Sequence, residues 1–342
     1  MVRYGILPPA ESGKFISERA HHVKIHENGL DKLCQEMFSA VKNNKLQIPD
    51  TGTDAIHPNN EHPRAVDWVF VCDALNFCFW PKSEEEQWTV NGHTGYFALE
   101  AALHRALQEG YDITNPEFYS TISEKKLTHI FRGDTEAKIP LYVERENVLH
   151  DVGLILCEKY NGTFENCIKE ANKSAIKLLE IVVVNFQCFR DEAIYKNQAV
   201  SFYKRAQILV ADLWNFFDGR GWGEFYDIDK LTMFADYRVP QVLVYFGVMM
   251  NSSRTSELTH TSFFTFYILL TSGSEEEIEI RGCSIHAVEL LKQKLSQRIE
   301  KSGKNYEVPN SSLIDYYLWC YRRKNAKEME KIPYHKTLGI FY

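Results

Sequence analysis

The stretch Thr232-Met233-Phe234-Ala235-Asp236-Tyr237-Arg238-Val239-Pro240-Gln241-Val242-Leu243 sets the reading of the whole chain. One carboxylate, Asp236, lies in an apolar run that then turns helical. Pro240 falls in the first turn of the predicted helix, where a missing N–H costs little. Val242, Leu243, Phe246 and Val248 continue an apolar face. Asp236 thus stands where a loop enters a helix, and an aspartate there most often caps the helix by accepting from its first amides. The other reading is a carboxylate in an apolar, aromatic wall, with Phe234 and Tyr237 beside it, facing a pocket. The motif alone leaves both open.

Just upstream, VSFYKRAQILVADLWNF (200–216) carries Phe202, Ala206, Leu209, Val210 and Leu213 at helical spacing, interrupted by Lys204 and Arg205. Two adjacent cations on an apolar helix can be the solvated ends of amphipathic side chains. They can also take a phosphate, Lys as a point charge and Arg as a fork. A glycine-rich turn, 218–223, and a short segment, 228–231, then lead into the Asp236 motif. Downstream, a helix is predicted over 284–300 with Val288, Leu291, Leu295 and Ile299 buried. A second follows from 311, with Asp315 set among Leu313, Tyr316, Tyr317 and Cys320. A buried aspartate needs a partner, which can be a backbone amide, a tyrosine hydroxyl or the N–H of a ligand.

The N-terminal part alternates short helices and loops. Leu30, Leu33, Cys34, Met37, Phe38 and Val41 recur at helical spacing after Asn28-Gly29. The polar stretch 42–64, with Pro49, Pro58 and Pro63, reads as a long loop that carries His57 and His62. In DWVFVCDALNFCFW (67–80) the aromatic and β-branched residues favour strand, while periodicity leaves a buried helix open. Residues 88–96 read as a hairpin turning at Asn91-Gly92. Helices are predicted from Tyr96 to about Gly110, from Asn115-Pro116, from Ser123, and within 141–188, where Asn161-Gly162 splits them. The chain reads as a single compact unit, 1–342, with a subdivision into a 1–140 α/β part and a 141–342 helical part.

Composition narrows the function. The formal charge is −7, and no basic tail or Lys/Arg run occurs, which argues against a binder of duplex nucleic acid. The opening residues lack a signal-peptide core. No apolar run approaches the roughly 18–20 residues of a bilayer span, the densest being 263–270. The eight cysteines form no CxxC, so neither a disulfide framework nor a zinc ribbon is indicated, and no histidine spacing supports a metal. A reducing, cytoplasmic setting fits this pattern.

Five segments in order carry a resemblance: VDWVFVCDALNFCFW (66–80), SFYKRAQILVADLW (201–214), TMFADYRVPQVL (232–243), EIEIRGCSIHAVELL (277–291) and LIDYYLWCY (313–321). Together they are similar to the queuosine salvage proteins, the queuosine 5′-phosphate N-glycosylase/hydrolases. The resemblance implies a mainly α fold with a small antiparallel β element and a helical core like that of helix-hairpin-helix DNA glycosylases. The order helix, glycine-rich turn, Asp-headed helix agrees with such a core, although the strict hairpin glycines are missing.

It further implies hydrolysis of queuosine 5′-monophosphate to free queuine, without a cofactor, a metal, a duplex nucleic acid or a membrane. The family's catalytic carboxylate falls on Asp236. Its base-contacting positions fall on His57, with His62 the competing histidine of that loop, and on Phe234, Asp315 and Tyr316. Its cations fall on Lys204 and Arg205, and Phe234 or Tyr237 can stack on the heterocycle. One departure concerns Cys320, where the family carries Asp at a position that holds the base. The competing classes are a non-catalytic binder of a modified nucleoside and a DNA-repair glycosylase. The second is disfavoured by the acidic net charge.

Overall fold

The computed structural model describes residues 5–46, 58–80, 86–251, 269–332 and 334–342. The structure is mainly helical, with three small sheets among the described residues. It divides into two compact units that interleave along the chain. The first comprises Met1–Ile48, Asp191–Lys204 and Asp229–Leu338, and the second Pro49–Arg190, Arg205–Ile228 and Gly339–Tyr342.

The first unit is built on the helix Glu275–Lys301, capped by Ser274, whose hydroxyl accepts from the Glu277 amide. Three glutamates in its first turn meet the positive end of the helix dipole. The helix begins nine residues before the predicted 284. The segment 275–283 is buried in the main although it carries Glu277, Glu279 and Arg281, so periodicity did not mark it.

The helix Pro9–Ser17 packs on it at a glycine-to-glycine crossing. A Cβ on Gly13 would lie 2.8 Å from Ile285, and one on Gly282 would lie 2.6 Å from Ile16. Ile16, Leu30, Leu33, Met37, Val239, Leu243, Val288, Leu291 and Leu318 belong to one continuous core. Val23–Ile25 pairs antiparallel with Met249–Asn251.

A hairpin of Glu192–Tyr195 and Gln198–Ser201 turns through Lys196 and Asn197. Both have positive φ, as a type I′ turn requires. Ile6–Leu7 adds to it in parallel. The residues 200–203, predicted as helix, therefore belong to a strand and its exit, and the helix runs Lys204–Phe216. The predicted helix after Asp236 runs Arg238–Tyr245. It stops before Val248, which leaves the helix after Gly247 at φ +72°.

In the second unit, residues 65–74 form a helix with all ten residues buried. Burial on every side erases an amphipathic signal, which explains why strand-favouring composition was the only cue. Its Phe70 stacks on Phe164, with centroids 4.4 Å apart. Arg145, fully buried, donates to the carbonyl oxygens of Pro140, Leu75, Phe77 and Cys78. The expected hairpin is present as Thr89–Val90 and His93–Thr94, with Asn91 and Gly92 at positive φ. Tyr96–Gln108, Pro116–Tyr119, Glu124–Ile130, Tyr142–Lys159, Glu165–Ala171 and Ala175–Asn185 follow as helices. Among the described residues no helix is long and apolar enough to cross a membrane.

Candidate active site

In the first unit the segment 232–236 is fixed from three directions. The Phe234 amide donates to Asp315 Oδ1 at 2.9 Å. The Ala235 carbonyl accepts from Arg281 Nε at 3.1 Å. Asp236 itself reaches forward: Oδ1 accepts from the amides of Arg238 and Val239, both at 2.9 Å. Asp236 is thus the functional cap of the helix Arg238–Tyr245, one residue before the boundary that dihedral angles give. The cap reading of the motif holds. Among the described residues Oδ2 makes no hydrogen bond to protein, so the cap engages only one of the two oxygens.

The electrostatics of Asp236 are a contest between burial and charge. Burial raises its carboxyl above the ordinary range. The Lys204 ammonium, the two capping amides and Arg238 work in the opposite direction. Lys204 is buried, and its backbone amide donates to Asp191 Oδ2 at 3.0 Å. Asp191 is in turn gripped by the Arg281 guanidinium: Nη1 donates to Oδ1 at 2.8 Å and Nη2 to Oδ2. One buried ion pair therefore links the residue preceding Asp236 to the start of the Lys204 helix. Sequence reasoning gave Asp191 and Arg281 no role. The only available signal was the Glu277–Arg281 spacing of four on a helix, realised here at 3.4 Å.

The remaining expectations have distinct placements. Asp315, in the helix Ser311–Lys324, is buried and has the Phe234 amide as a partner, one of the options its burial demanded. Tyr316 and Cys320 lie one turn apart on that helix. Burial raises the Cys320 thiol, and a hydrogen bond from the Tyr316 hydroxyl opposes it. Tyr316 is exposed at 37%. Phe234 is half-buried. The Tyr237 ring lies 5.4 Å from that of Tyr334, and the Arg238 guanidinium lies over both. Its hydroxyl is pushed up to about 12 by burial.

Arg205 belongs to the second unit and is buried there. It donates to the carbonyls of Asp73, Ala74 and Cys188, between the rings of Phe77 and Phe189. The two cations predicted together therefore fall in different units, and Lys204 alone accompanies Asp236. His57 lies outside the described residues. His62 is described, and its Nδ1 accepts from the Arg64 amide.

Among the described residues one group could approach a cation, His22, Glu275 and Glu279. Glu279 is already occupied there, accepting from the amides of His21, His22 and Val23 and from the Tyr195 hydroxyl. All eight cysteines are free thiols, six of them buried.

Comparison with known proteins agrees with this constellation. A family described as queuosine salvage protein matches residues 56–342. A Bos taurus protein named queuosine 5′-phosphate N-glycosylase/hydrolase is 43% identical over 99% of both chains. A Mus musculus protein of the same name is 39% identical over 98% of this chain and 99% of its own. A bacterial one, from Sphaerobacter thermophilus, is 35% identical over 96% and 95%.

Proposed function

The chain belongs to the queuosine salvage protein family, and on that premise we propose that it hydrolyses the N-glycosidic bond of queuosine 5′-monophosphate and releases free queuine. The observation that carries this reading is end-to-end similarity to proteins named for that hydrolysis, at up to 43% identity. In this reading the helical part shares the core of helix-hairpin-helix DNA glycosylases, and the protein works in the cytoplasm.

Breaking a ribosyl C–N bond builds positive charge at the anomeric carbon. Asp236 meets that charge as a carboxylate whose orientation is set in advance by the helix it caps. A preorganised charge is worth most where water is excluded. One oxygen holds the helix and the other faces C1′. Lys204 takes the 5′-phosphate as a point charge and also favours the ionised form of Asp236. Binding energy from that remote phosphate is then spent at the reacting centre. Arg205 supports the wall of its own unit.

The leaving group is a 7-deazapurine and has no N7 to protonate. Charge developing on the base is therefore met along its remaining edges. Asp315 accepts from the guanine-like N–H edge, since a carboxylate can accept several hydrogen bonds at once. Phe234 and Tyr237 offer ring faces to the heterocycle, and Tyr316 and Cys320 complete the base wall.

Mass spectrometry of queuine released from queuosine 5′-monophosphate tests the assignment. Asp236→Asn is expected to lower kcat by on the order of 10²–10⁴-fold, with the fold retained by circular dichroism. Near-normal turnover in that variant would remove Asp236 from the chemistry. Tight binding by the wild-type chain without any release would identify a sequestering binder instead.

A further inference from the structure

The catalytic reading asks two groups to act in concert, Asp236 beneath the sugar and Lys204 at the phosphate. They come from different parts of the chain, 32 positions apart in the sequence, and neither touches the other's backbone through a printed hydrogen bond of its own element. What joins them is Arg281. Its Nε holds the carbonyl of Ala235, the residue before Asp236, at 3.1 Å. Its fork holds both oxygens of Asp191. Asp191 holds the amide of Lys204 at 3.0 Å and, through its own carbonyl, the amide of Phe202 at 3.0 Å.

Between these anchors the chain passes through Tyr203 at φ +49°, a left-handed conformation that a bulky residue adopts only when its surroundings impose it. The Tyr203 hydroxyl is itself fastened to Glu192 at 2.7 Å. The guanidinium lies flat over the Phe202 ring at 4.1 Å, and both ends of the ion pair are buried.

This is more than a stabilising ion pair requires. Buried pairs cost much of what they gain, and an apolar replacement often serves stability equally well. A planar guanidinium using three donors in fixed directions transmits geometry, which a point charge cannot do. We propose that Arg281, acting through Asp191, is the positioning residue that fixes the Asp236 carboxylate relative to the Lys204 ammonium. The role in catalysis rests on the hydrolase reading above, whereas the positioning itself does not depend on it. A misplacement of about 1 Å in such a pair can cost on the order of 10²-fold in rate.

Two measurements test the proposal. The first is steady-state queuine release by Arg281→Lys, which keeps the charge and loses the fork. Its kcat is expected to fall by roughly 10–10²-fold, with KM for queuosine 5′-monophosphate little changed. The second is the titration of the Asp236 carboxyl by ¹³C NMR, assigned by its disappearance in Asp236→Asn. Asp236 faces Lys204 from the start of its helix and Arg238 and Tyr237 from its own segment. Weakening the Lys204 arm is expected to move the titration to higher pH in Arg281→Lys. The same substitution in a Lys204→Met background is expected to move it no further.

A lowered melting temperature with unchanged kcat and unchanged titration would show a purely structural ion pair and overturn the proposal. So would a titration shift of the same size in both backgrounds. Absence of queuine release by the wild-type chain would overturn the hydrolase reading, while the titration would still decide the positioning.

Discussion

An aspartate that caps a helix gains acceptor partners that favour its charged form, and one buried beside aromatic residues loses solvent that also favours it. At Asp236 burial outweighs the rest, so its carboxyl titrates above an ordinary aspartate. The chemistry needs the ionised form. Activity is therefore present above this raised pKa and is lost as pH falls through it. The acid limb of kcat is expected at higher pH than an unperturbed carboxylate would give. Lys204→Met removes the largest opposing influence and is expected to shift the limb further up. It is also expected to raise KM for the 5′-phosphate far more than for the unphosphorylated nucleoside. A pH–rate profile of both proteins checks the first point, and paired KM measurements check the second. Asp236 was legible in the sequence as a cap because loop, acid and helix stood in order. Lys204 and Arg205 could not be separated there. Adjacent residues on a helix point about 100° apart, and only the fold shows which one is spent on backbone carbonyls.

Amphipathic helices with punctuation were legible: Tyr96–Gln108 has an apolar face and ends before Gly110, as expected. The helix over 65–74 was obscure because it is buried on all sides, and 275–283 because its buried charges are satisfied by one another. The turn at Lys196-Asn197 lacked the Asn-Gly signature although it takes the same backbone form. The crossing of Pro9–Ser17 with Glu275–Lys301 was also invisible, since a glycine in a helix reads locally as a weakness. Here Gly282 is where Ile16 sits, and a methyl group would arrive 2.6 Å from its side chain. Gly282→Ala is expected to destabilise the protein by about 1–3 kcal/mol through overpacking, despite the better helix propensity of alanine. Urea unfolding measures this, and a stabilised variant would show that the two helices separate freely. Ile16→Val in the same background is expected to recover part of the loss.

Across the whole molecule the chain enters and leaves its first unit repeatedly, so a contiguous segment can look like a domain without being one. The family match begins at residue 56, yet the relatives align over nearly the full length. Residues 5–46 supply Ile16, Leu30, Leu33 and Met37 to the core that also holds Val239, Leu243 and Val288. They also supply the strand Val23–Ile25 that pairs with Met249–Asn251. Burial of each large apolar side chain is worth about 1.5–3 kcal/mol, and whole domains are stable by only about 5–15 kcal/mol. Removing four such residues, with a strand partner and a helix crossing, would thus consume the stability of the first unit. That unit contains Asp236, Lys204, Asp191, Arg281 and Asp315. The fragment 56–342 is therefore expected to lack queuine release even though it spans the whole family match and every candidate catalytic group. Its ¹H–¹⁵N spectrum is expected to lose the dispersed signals of the helices Arg238–Tyr245 and Glu275–Lys301. Full activity with a single cooperative unfolding transition in that fragment would refute the argument, because the N-terminal segment would then be an accessory to a core complete without it.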